Sequence, residues 1–162
     1  MKTLQSNRLL FLSLALLTVF TIEISGQKSK REEIYKNKLF KDYMDVNYYY
    51  DNNNVVTSKQ IMLYGQDLRY QQIVEVTTIY FGSPKDLMKF LNDVEKFFNE
   101  NDPDVSSTID GRRINIVKQS GIKGFYIYEK DGAGYRGYNM KTWGKIKNAL
   151  IEWAEKNNES LE

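Results

Sequence analysis

A run of β-branched and aromatic residues that passes at once into an amphipathic helix constrains this chain most. Residues 71–81 read Gln-Gln-Ile-Val-Glu-Val-Thr-Thr-Ile-Tyr-Phe, a composition that suits a pleated, half-buried strand. Gly82 ends the run. Ser83 stands where an N-cap belongs, and Pro84 takes the first helical position, where its missing N–H is not needed. Asp86 sets a negative charge in the first turn, against the positive end of the helix dipole. Leu87, Phe90, Leu91, Val94, Phe97 and Phe98 then recur at spacings of three and four and share one face. A one-sided helix joined to a strand by so short a turn needs a sheet to cover its stripe.

The rest of the chain repeats that theme. Lys2 and Arg8 give a positive start, and residues 9–22 form an uncharged, mostly apolar stretch too short to span a bilayer as a helix. Residues 1–26, ending in Ile24-Ser25-Gly26, therefore read as an export signal, with an uncleaved anchor as the alternative. The Gly-Gln ending resembles bacterial export signals. The mature chain from Gln27 is expected in the periplasm or outside the cell, without a transmembrane span. Residues 27–45 are highly charged and are expected either as a helix with Tyr35, Leu39, Tyr43 and Val46 as its stripe, or as a tether. Residues 46–158 form a single domain and residues 159–162 a polar tail.

Within that domain, strands are expected at residues 47–50, 55–64 and 68–81. After the first helix, Asp110-Gly111 is the preferred two-residue hairpin turn. Along residues 122–130, Phe125 and Ile127 point one way and Tyr126 and Tyr128 the other. A second helix at about residues 140–156 has Trp143, Ile146, Leu150 and Trp153 as its stripe. Two rounds of meander and helix make a pseudo-repeat of pattern, and short turns imply antiparallel pairing. The expected fold is α+β: a two-layer sandwich, one mostly antiparallel sheet with two amphipathic helices packed on one face.

Composition bears mainly on chemistry. The 162 residues include no Cys and no His. That removes disulfides and thiolate nucleophiles, together with the usual general base near neutral pH and the usual transition-metal ligand. Ser-His-Asp and Cys-His catalysis are excluded. Gly132-Ala133-Gly134-Tyr135-Arg136-Gly137 matches the dinucleotide-binding spacing. No second βα unit follows it, however, so it reads as a tight turn whose glycines supply positive φ. No cofactor, metal site or catalytic residue is expected, and nucleic acid is not an expected partner.

Charge is divided. Residues 82–110 carry three Lys against seven Asp or Glu, whereas residues 111–147 carry nine Lys or Arg against Glu129 and Asp131. The basic part is interleaved with aromatics, so the expected contact surface is Arg112, Arg113, Tyr126, Tyr128, Tyr135, Arg136 and Tyr138. The leading expectation is a non-enzymatic exported binding domain for a protein or an anionic glycan. One alternative is a small hydrolase of an envelope polymer built on a carboxylate pair. Another is an inhibitor or immunity-like protein docking through Asp86, Asp93, Glu95 and Glu100 of the first helix.

Overall fold

The computed structural model describes residues 28–70, 75–132 and 134–162. The expected export signal and residues 71–74 of the expected long strand lie outside the described residues. The order is β1 (Ser29–Asn37), β2 (Asp42–Tyr50), β3 (Val56–Gln66), β4 (Val76–Gly82) and α1 (Pro84–Glu100). It continues with β5 (Ser106–Ile109), β6 (Arg112–Gln119), β7 (Ile122–Tyr128), β8 (Tyr135–Tyr138) and α2 (Met140–Lys156). The molecule is a mixed α+β fold with antiparallel pairing throughout.

Two expectations change. The described part of the segment expected at residues 27–45, from residue 28 on, holds neither a helix nor a tether, because β1 pairs with β2 from Ser29 opposite Tyr49 to Asn37 opposite Asp42. Asp42, Met44, Val46 and Tyr48 are buried at alternate positions, the period of a strand. The four-residue spacing of Leu39 and Tyr43 marks no shared face, since Leu39 is 82% exposed at the hairpin tip. The strands also form two hydrogen-bonded sheets, β1-β2-β3-β4 and β5-β6-β7-β8, rather than one.

The sheets meet where β4 approaches β8. Leu68 N donates to Tyr135 O at 3.1 Å, and Thr78 N donates to Glu129 Oε1 at 2.8 Å. Deeper in, Arg136 Nε donates to Asp42 Oδ1 at 2.7 Å, and both side chains are almost fully buried. Burial raises the Asp42 carboxyl above its ordinary range, although Arg136 pulls it down.

One core serves both halves. Met44, Ile61, Leu63 and Ile79 of the first sheet and Ile114, Ile116, Phe125 and Ile127 of the second are fully or almost fully buried. α1 packs on β3, β4 and β5 and against α2, which also meets β1. Trp143 of α2 lies 6.1 Å from Phe90 of α1, 5.2 Å from Phe125 of β7 and 5.2 Å from Tyr138 of β8. Its indole N–H donates to Leu91 O at 3.1 Å, so this large ring is buried without an orphaned donor. Both helices begin on side-chain caps: Ser83 Oγ accepts from Asp86 N, and Asn139 Oδ1 from Thr142 N.

Candidate functional site

Alternation along three strands sorts the seven candidate residues. Arg113 on β6, Tyr126 and Tyr128 on β7, and Tyr135 on β8 face away from the core. The register brings them together, because Tyr126 lies opposite Gly137 and Tyr128 opposite Tyr135. Tyr135 sits between the other two rings, 5.4 Å from Tyr126 and 5.3 Å from Tyr128. The Arg113 guanidinium rests on the Tyr128 ring 4.0 Å from its centre and stays exposed. Gln119 Nε2 donates to Tyr126 OH at 2.6 Å, which fixes that phenol from the neighbouring strand. Arg113, Tyr126, Tyr128 and Tyr135 thus form one outward cluster.

Arg112, Arg136 and Tyr138 do not belong to it, and this corrects the expected surface. Each is 5% exposed. They occupy the opposite parity of the same strands and turn inward. Arg112 lies over Tyr80 and Phe90 and bonds Asp110 O at 3.1 Å and its carboxylate. Arg136 is spent on Asp42 and on Phe40 O. Burial pushes the Tyr138 phenol well above its ordinary value. All three are structural.

Beside the outward cluster lies an open cleft of about 560 Å³, lined by Arg69, Arg113, Tyr128, Glu129, Lys130 and Tyr135 among others. Arg69 comes from the first half of the chain, a contribution that no local motif signals. Its side chain is set by Asp67, which accepts from Arg69 N at 2.9 Å and Nη2 at 2.6 Å. Burial alone would raise the Asp67 carboxyl, but these bonds outweigh it and hold the carboxyl below its ordinary range. Gly134 closes the base of the turn: a Cβ there would lie 2.9 Å from Asp67 Oδ2. Gly132 takes the positive φ of 71° expected of the turn, and Gly134 serves close packing at the seam between the sheets.

The carboxylates around the cleft have structural work. Glu129 accepts from Thr78 N and from Thr77 Oγ1, and Asp110 holds Arg112 and lies 3.5 Å from Lys130. On α1, Asp93 bonds Lys89 at 2.7 Å, Glu95 bonds Lys147 at 2.6 Å, and Asp86 accepts from Ser83 Oγ at 2.6 Å. The acidic helix therefore spends much of its charge within its own molecule.

The outward side of the first sheet, which the sequence reading passed over, has a similar make-up. Tyr43 and Tyr64 stack at 5.3 Å, with Arg31 over Tyr64 and Lys36 over Tyr43. Asp45 is buried beneath Arg31 and bonded to it. Burial, then the Asp45 carboxylate, raises the Tyr64 phenol to about 12. Compared with known proteins, the chain matches no family model, no curated protein and no solved structure.

Proposed function

We propose that this chain is a non-enzymatic binding module, exported to the periplasm or cell exterior, that docks a protein partner on the outward face of its second sheet. One observation carries the reading. The outward positions of β6, β7 and β8 hold Arg113, Asn115, Val117, Gln119, Ile122, Tyr126, Tyr128 and Tyr135 with two glycines, and no Lys, Asp or Glu is among them, in a chain that is 27% charged. Aromatics and arginine in, lysine and carboxylates out, is the composition of an interface centre. The occupied carboxylates around the cleft favour binding over hydrolysis. Lys2, Arg8 and the apolar stretch after them support export. In this reading the two sheets and two helices form two layers, supported by their shared core.

An acidic glycan is the second reading, favoured by the convergence of Arg69, Arg113 and Lys130 on one cleft. It stands second because Glu129 and Asp131 line the same cleft and cancel most of that charge.

The test compares the immobilised chain with an Arg113→Ala/Tyr128→Ala variant for capture of protein from the producing cell's envelope fraction, with heparin as competitor. A partner held at this surface binds the variant at least about thirtyfold more weakly, and heparin leaves capture unchanged. Equal capture by the variant rejects the surface, and displacement by heparin transfers it to an acidic glycan.

A further inference from the structure

One end of the molecule carries apolar side chains that the fold leaves bare. Leu39 is 82% exposed and Phe40 51% exposed in the β1–β2 turn, and Ile122 is 67% exposed beside the β6–β7 turn. Leu39 and Ile122 are the two most exposed large apolar residues among the described residues. The two turns are neighbours: Phe40 and Ile122 line the same open groove of about 430 Å³, together with Leu68 and Tyr126. A single exposed Leu is ordinary, but apolar residues from two separate turns meeting at one place mark a contact surface.

Both turns are held firmly. Asn37 Oδ1 accepts from Phe40 N at 3.3 Å, Arg136 Nη2 donates to Phe40 O, and Gln66 N donates to Lys41 O at 3.2 Å. The second turn places Ser120 and Gly121 in the left-handed region, with φ of 49° and 82°, as tight hairpins require. The bare side chains are thus presented by pinned loops.

The charge carried by the two turns has one sign. Lys38 and Lys41 flank Leu39 and Phe40 in sequence, Lys118 is exposed just before the second turn, and residues 34–41 and 111–128 contain no carboxylate. Asp42, next along, is buried and bonded to Arg136. We propose that this end is a membrane-surface attachment site for anionic lipid. Leu39, Phe40 and Ile122 enter the boundary between headgroups and acyl chains, and Lys38, Lys41 and Lys118 meet the headgroups. Lysine is depleted from the centres of protein interfaces, whereas an apolar tip ringed by lysine complements an anionic leaflet. The groove shares Val117 and Tyr126 with the outward face of the second sheet but not Arg113 or Tyr128, so the Arg113→Ala/Tyr128→Ala and Phe40→Ser variants test the two proposals apart.

The chain has no cysteine, so Leu39→Cys, Ile122→Cys and Asn53→Cys each give the full-length chain one point for an environment-sensitive fluorophore. Asn53 lies in the β2–β3 turn, at the opposite end of the sheet. Each labelled chain is titrated with vesicles of one part phosphatidylglycerol to two parts phosphatidylcholine. The dye blue-shifts and brightens at positions 39 and 122 but not at 53. Adding Phe40→Ser to the Leu39→Cys chain weakens the response about tenfold, and high salt weakens it further. Ile122→Ser repeats the test from the other turn, so a folding defect at Phe40 does not decide it. Equal responses at 39, 122 and 53, or none, overturn the proposal; with none, the tips are left to a protein partner.

Discussion

Arg113 on β6 and Arg136 on β8 belong to one sheet, with β7 between them, and have opposite lives. Arg136 is buried against Asp42 at 2.7 Å, and removing one partner of such a pair leaves a bare charge in a low-dielectric interior. Arg136→Ala is expected to lower stability by about 3–5 kcal/mol, whereas Arg113→Ala changes it by no more than about 0.5 kcal/mol. Urea unfolding midpoints of the two variants check this, and similar midpoints would refute the assignment of faces. Gly134 gives a second residue-scale test. A methyl group there meets Asp67 Oδ2 at 2.9 Å, so Gly134→Ala should lose about 1–3 kcal/mol through overpacking, read from the same denaturation curves. The sequence showed which residues were basic or aromatic, but not which face each took. Arg112 and Arg113 are adjacent, so one of them had to turn inward, and Arg112 is the one that shares the parity of the buried Ile114 and Ile116.

The helices and the Asp110-Gly111 turn were legible because their determinants are local. The three-and-four spacing, the Ser83 cap and the Asp-Gly pair each act within a few residues, and Asp110 and Gly111 do take φ of 50° and 73°. Ser83→Ala and Asn139→Ala should each cost about 1 kcal/mol, visible as a lowered melting temperature. No loss in either variant would remove the caps from the account. β1 was not legible, because Ser29 to Glu33 is mostly charged and resembles a tether. What makes it a strand is its partner β2, joined to it by the turn at residues 38–41, and pairing overrides local preference in strands. The Arg69 contribution to the cleft was hidden for a different reason, because its partners in the cleft lie about forty or more residues later in the chain.

At the scale of the whole molecule, the two halves should unfold as one. Trp143 joins α2 to α1 and to the second sheet, and Trp153 Nε1 donates to Tyr48 OH of the first sheet at 3.0 Å. Tryptophan fluorescence and far-ultraviolet circular dichroism are expected to give coincident transitions, and separate midpoints would show independent halves. Alkali should dissolve this unity. Burial raises the phenols of Tyr48, Tyr64 and Tyr80 from 10 to about 12. The unfolded chain therefore releases these protons first, so the stability they contribute is whole below pH 10 and is lost as pH rises toward 12. Phenolate absorbance should show delayed titration of these groups in the folded chain, and titration of all twelve tyrosines near 10 would contradict it. The meeting of β4 with β8 also bears on biogenesis. β8 begins more than fifty residues after β4 ends, so on a nascent chain the first half emerges with a sheet edge that has no neighbour. Until β8 arrives, that edge is a place where another unfinished copy can add its own strand. β1 and β5 stay edge strands in the finished protein, so the added hazard at β4 belongs to synthesis, and a chaperone that shields the first half should raise yield without changing the final stability.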